Sequence, residues 1–66
     1  MSGRGTVAAF DESSGLGEID ADDGRRIPFH CVAIADGSRT IAVGAAVEFD
    51  LMPKLGRYEA TAIRPG

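Results

Sequence analysis

The sequence predicts an all-β fold, with five short strands making a small barrel or sandwich. Three observations lead there. Apolar residues come in short bursts separated by Gly, Asp and Ser, and nine of the 66 residues are glycine. No stretch keeps apolar residues at i, i+3, i+4 and i+7 for three turns, so no long amphipathic helix is expected. Val47, Phe49 and Leu51 alternate with Glu48 and Asp50, the period-two pattern of a half-buried strand. Short, evenly spaced strands with turn residues between them mark small β barrels and sandwiches.

The first strand is expected over residues 5–11, with Val7 and Phe10 as core candidates, and Glu12-Ser13-Ser14 as the turn after it. The second covers residues 15–21. Its glycines, Gly15 and Gly17, leave one side bare, which suits tight coiling or close backbone approach. Asp22-Asp23-Gly24 is a hairpin turn, since Asp-Gly tolerates positive φ. The third strand covers residues 26–32. A longer connection, residues 33–45, contains the Asp36-Gly37 turn; its Ala-rich end is interrupted by Gly44. The fourth strand covers residues 46–51, residues 52–56 turn the chain, and the fifth strand covers residues 57–64.

Length and charge bound the function. Sixty-six residues allow one domain, spanning 1–66, too small for a deep enzyme pocket. The single cysteine, Cys31, can form no internal disulfide and no zinc site built from cysteine pairs, which fits a reducing cytoplasm. No signal-peptide pattern and no apolar run of spanning length is visible, so a soluble cytoplasmic chain without membrane contact is expected. Ten Asp and Glu stand against seven Lys and Arg, a net charge of −3. Phosphate binding usually shows as a basic excess, and the excess here has the opposite sign. A local basic patch can still differ from the average.

Several short segments, in order, resemble the cold-shock domain. Gly5-Thr6-Val7-Ala8-Ala9-Phe10-Asp11 resembles that family's G-x-V-K-W-F-N. Ser14-Gly15-Leu16-Gly17-Glu18-Ile19 lies where the family has K-G-F-G-F-I, and Ile27-Pro28-Phe29-His30-Cys31 where it has V-F-V-H-F. Val32-Ala33-Ile34 is similar to S-A-I, Arg39-Thr40-Ile41 to R-T-L, and Gly44-Ala45-Ala46-Val47-Glu48-Phe49 to G-Q-x-V-E-F. Glu59-Ala60-Thr61-Ala62-Ile63 is similar to the closing Q-A-A-N-V. The resemblance implies a five-stranded antiparallel Greek-key barrel of the OB-fold type. It also implies single-stranded RNA or DNA as partner, without a cofactor.

The matching positions are mostly glycine and core apolar residues, which carry architecture rather than activity. In the family, bases stack on exposed aromatics of the second and third strands, and lysines hold the phosphates. Here Ala9 replaces the family's tryptophan. Leu16 and Glu18 replace the two phenylalanines of the first motif, while Pro28 and Cys31 replace two of the second. Ser38 replaces a loop aromatic, and Ala8 and Ser14 replace lysines. Of the stacking set only His30 remains. Alternation alone agrees: Ile19 inward places Leu16 and Glu18 outside, and Ile27 with Phe29 inward places Pro28 and His30 outside. All three phenylalanines are then core candidates, and Tyr58 is the exposed aromatic.

Stacking is worth about 1–3 kcal/mol per base, so losing three partners removes roughly 3–9 kcal/mol. A factor of ten is about 1.4 kcal/mol, so a micromolar binder would fade from detection. Nucleic-acid contact is therefore expected to be weak. By family position it would involve Ala9, Leu16, Glu18, Pro28, His30, Cys31 and Tyr58. Arg25, Arg26, Arg39 and Arg57 are the candidate phosphate contacts, against a reading in which all the cations, with Arg4, Lys54 and Arg64, are dispersed solubilising charge. The alternative function is a protein-interaction or self-association surface on the second and third strands, although a monomer is expected.

His30 leaves three readings open: a remnant stacking residue, a surface histidine without a task, or a catalytic base. No nucleophile or orienting partner accompanies it, so no catalytic residue is assigned and an enzyme is not expected. Cys31 reads as an inert thiol on the face opposite His30. Glu18, Asp20, Asp22 and Asp23 lack the spacing of a calcium loop and read as a solvated acidic face, so no metal site is assigned. Gly15-x-Gly17 opens no helix and is not a phosphate loop. Pro28 cannot donate to a ladder, so it implies an edge strand, a bulge or an unpaired stretch.

Overall fold

A computed structural model describes residues 2–66. Five strands form one antiparallel sheet: β1 (Ser2–Asp11), β2 (Leu16–Ala21), β3 (Arg26–His30), β4 (Ala46–Lys54) and β5 (Arg57–Pro65). Their order is β3-β2-β1-β4-β5. The first three strands form a meander, and β4 returns beside β1, which is Greek-key connectivity. The sheet coils until its edge strands, β3 and β5, pack together. No ladder joins these edges. An isolated parallel bridge between Ile34 and Ile63, and a bond from the Ala35 N–H to the Ile63 carbonyl at 2.8 Å, tie the segment after β3 to β5.

Alternation builds the core. Val7, Ile19, Ile27, Phe29, Val47, Phe49, Leu51, Ala60 and Ile63 form one buried cluster, with no buried charged or polar residue among those described. Gly17 is dictated by that packing. A Cβ there would run into the Phe29 ring and stand 2.8 Å from the Ala9 carbonyl oxygen.

β1 differs from simple alternation. Val7 pairs with Ile19 and Ala9 with Glu18, so Ala8 is an extra residue in a bulge. The bulge reverses the inward and outward phase of the residues after it. Ala9 is thereby exposed, and Phe10 comes to lie opposite Gly17. Phe10 packs against the core cluster without being fully buried in it. It is half-buried at the mouth of the barrel, stacked on Phe29 with ring centroids 6.0 Å apart and planes 6° apart.

Other boundaries shift for identifiable reasons. β1 begins at Ser2 because its first residues pair with β4, Ser2 opposite Asp50. β3 stops at His30, two residues early, because its last ladder bond runs from the Cys31 N–H to the Gly15 carbonyl. Cys31–Ala33 then forms a 3₁₀ turn, capped by the Val32 N–H donating to His30 Nδ1 at 3.3 Å. β4 runs on through Lys54, which leaves Leu55-Gly56 as a two-residue turn with φ of 45° and 86°. Positive φ at both positions is the type I′ pattern that favours Asn-Gly. Leu55 occupies the left-handed region fully exposed, so Leu55→Asn is expected to stabilise the domain by about 1 kcal/mol, read as a raised urea midpoint.

Carboxylates close three of the loops. Asp11 accepts from the Ser13 hydroxyl at 2.7 Å and the Ser13 N–H at 3.0 Å, which hold its carboxyl below the ordinary carboxylate range. The Arg25 N–H does the same for Asp23, and the Ser38 N–H for Asp36. A depressed native pKa means that acid protonates the unfolded chain first. The associated stability is present above the ordinary value of 3.8 and is lost as pH falls through the native values. The thermal midpoint should therefore drop below about pH 4. Replacing Asp11, Asp23 and Asp36 by Asn should flatten that drop.

Candidate nucleic-acid interface

The register of β1, β2 and β3 assembles most of the expected face in rows. Thr6 lies opposite Asp20, and Asp20 opposite Arg26. Ala9 lies opposite Glu18, and Glu18 opposite Pro28. Asp11 lies opposite Leu16, and Leu16 opposite His30. Bonds from the Ala21 N–H to the Arg25 carbonyl and from the Cys31 N–H to the Gly15 carbonyl set the phase of the β2–β3 ladder. Glu18–Pro28 and Leu16–His30 are then non-hydrogen-bonded pairs, whose side chains stand close together. Pro28 also directs its missing donor toward the open edge, so β3 tolerates it as an edge strand.

Two grooves extend this face. One is lined by Ala9, Phe10, Leu16, Glu18, Pro28 and Arg57 among others. The second lies between the outer edge of β3 and the β4–β5 hairpin, where Arg57 and Tyr58 come beside Pro28, Arg25 and Arg26. Tyr58 therefore reaches the face from β5, and it is half exposed. Cys31 lies off the strand. Its Sγ is 3.8 Å from His30 Nδ1, on the same side as His30 rather than the opposite one, because the 3₁₀ turn ends the alternation at His30. Phe10 was missed as a groove residue, and the bulge that places it there has no signal in the sequence.

Electrostatically, the face is nearly self-neutralised. Arg26 Nε donates to Asp20 at 2.9 Å and its Nη1 to Glu18 at 3.4 Å. The Asp20 carboxylate, and then Glu18, raise the Arg26 pKa above its ordinary value. Arg25 is turned back onto Asp23 at 2.8 Å, and Arg57 onto Glu59 at 3.2 Å. Arg39 has no ion-pair partner among the described residues and lies in a groove with His30, Cys31 and Ser38. Among the described residues, no group of three His, Cys, Asp or Glu side chains could hold a metal ion. None of the helices there is long and apolar enough to cross a membrane.

The 'Cold-shock' DNA-binding domain family matches residues 3–65. The chain belongs to this family. No individual curated protein matches it. As a cold-shock domain it is a nucleic-acid-binding module in general character, of a family that binds single strands. This member presents Ala9, Glu18 and Pro28 across the middle row of its face, with no aromatic side chain among them.

Proposed function

We infer that this cold-shock domain binds single-stranded RNA or DNA weakly, by a few ionic and van der Waals contacts instead of a continuous stack of bases. The observation that carries this reading is the middle row, Ala9–Glu18–Pro28. It offers no ring to a base, and its carboxylate holds Arg26. Contacts on this reading come from Leu16, His30 and Tyr58, with the remaining cations, in a monomer working in the cytoplasm. Catalysis has no part in it.

A second reading has its own support. Leu16 is 57% exposed and Tyr58 46%, and with Phe10 and Pro28 they line neighbouring parts of the two grooves. A compact apolar patch of this kind can serve a protein partner or a second copy of the domain. One titration separates the two. A mixed single-stranded oligonucleotide pool added to isotope-labelled protein should move amide signals of β2 and β3, and added salt should reverse the shifts. Unmoved signals, together with a dimer by light scattering, would favour the second reading.

A further inference from the structure

We propose that the phosphodiester backbone of a bound single strand is held at the His30 end of the domain, between Arg39 and Lys54, and not along β2 and β3. This rests on the nucleic-acid reading above and says where the phosphates go. Of the seven Lys and Arg residues, five are engaged by carboxylates. Arg4 meets Glu48 at 3.0 Å, Arg25 meets Asp23 at 2.8 Å, and Arg26 meets Asp20 at 2.9 Å. Arg57 meets Glu59 at 3.2 Å, and Arg64 meets Asp50 at 3.5 Å. Among the described residues, Arg39 and Lys54 are the two without a carboxylate partner. A guanidinium beside a carboxylate has part of its charge offset, so it attracts a phosphate less strongly. An unpaired cation offers phosphate its full charge.

The fold places these two cations on either side of one residue. Arg39 lines a groove with His30, Val32 and Ser38. Lys54 lines another with His30, Val32 and Met52. His30 and Val32 are common to both grooves, so the two meet over the 3₁₀ turn Cys31–Ala33. The carboxylate in the second groove, Glu59, is already held by Arg57. At the junction, His30 Nδ1 accepts the Val32 N–H, which leaves Nε2 as the ring nitrogen available to donate. A strand following these grooves meets a cation, a ring with a donor, and a second cation. Along β2 it would instead meet Glu18 and Asp20.

Salt dependence tests this directly. Each phosphate neutralised on a single strand contributes about 0.7 to the slope of log K against log salt. With two such contacts, a tenfold dilution of salt should tighten binding of labelled oligo-U or oligo-dT about 25-fold. For Arg39→Gln or Lys54→Gln alone the gain should be about fivefold, and the double variant should be nearly insensitive to salt. Arg26→Gln should behave as wild type, and Arg39→Lys should restore the wild-type slope. Amide spectra confirm that each variant is folded. Salt-dependent wild-type binding with an unchanged slope in Arg39→Gln and Lys54→Gln would overturn this placement while leaving the nucleic-acid reading intact. Absence of wild-type binding even at low salt would overturn both.

Discussion

Replacing Glu18 and Pro28 together by phenylalanine is expected to raise affinity for single-stranded oligo-dT at least thirtyfold. The two positions are cross-strand neighbours in a close, non-hydrogen-bonded pair, so the new rings would stand side by side on the outward face. Each stacked base is worth about 1–3 kcal/mol, giving about 2–6 kcal/mol for two, and 1.4 kcal/mol is tenfold. Two effects add in the same direction. Removing Glu18 takes a negative charge from beside the new rings, and it frees Arg26 from one of its two carboxylates. The face itself should accept the change. Glu18 and Pro28 are only half-buried and line an open groove, and β3 is an edge strand that can carry a restored N–H. Glu18→Gln separates the contributions, because it removes the charge without adding a ring. Its gain should be much smaller than that of the double variant, as read by fluorescence anisotropy.

Phe49→Ala should lower the unfolding free energy by about 3–5 kcal/mol, a large share of what the domain has. Phe49 is 1% exposed and belongs to the single core cluster. Truncating a buried phenylalanine costs about 3–5 kcal/mol. At roughly 0.05–0.15 kcal/mol per residue, a chain of this length has only about 3–10 kcal/mol of stability in total. No second core exists among the described residues to compensate, and a small domain buries a modest share of its surface. Urea denaturation followed by circular dichroism gives the answer. A shift of the unfolding free energy below about 1 kcal/mol would mean that the ring is not held as the packing implies. Phe10→Ala is the useful comparison. Phe10 stacks on Phe29 at the barrel mouth and is half-buried, so its loss should cost clearly less than that of Phe49.

The features legible in the sequence are those encoded by a period. Val47, Phe49 and Leu51 announce β4 because side-chain alternation has the same period as the strand. Ile19, Ile27 and Phe29 similarly orient β2 and β3, and with them the outward set of Leu16, Glu18, Pro28 and His30. The bulge at Ala8 is not encoded that way. It lies just beyond the stretch where β1 pairs with both β2 and β4, and its result, Phe10 at the groove, emerges only from the paired register. β3 ends at His30 because the chain enters the 3₁₀ turn Cys31–Ala33, capped by the Val32 N–H on His30 Nδ1, and no period reveals it. Ion pairing is the largest omission. Arg26 reads from the sequence as a phosphate contact, whereas the hairpin register places it opposite Asp20 and beside Glu18. Lys54 reads as a turn residue, yet it ends β4 in a groove shared with His30.

The central claim is that the cold-shock fold persists here while its base-stacking platform is gone. Direct titration of the wild-type domain with labelled oligo-U and oligo-dT at physiological salt tests it most simply. A dissociation constant weaker than micromolar, tightening as salt is diluted, is the expected result. Submicromolar binding at physiological salt would contradict the account, because the face formed by Ala9, Leu16, Glu18 and Pro28 offers no stacking to support it.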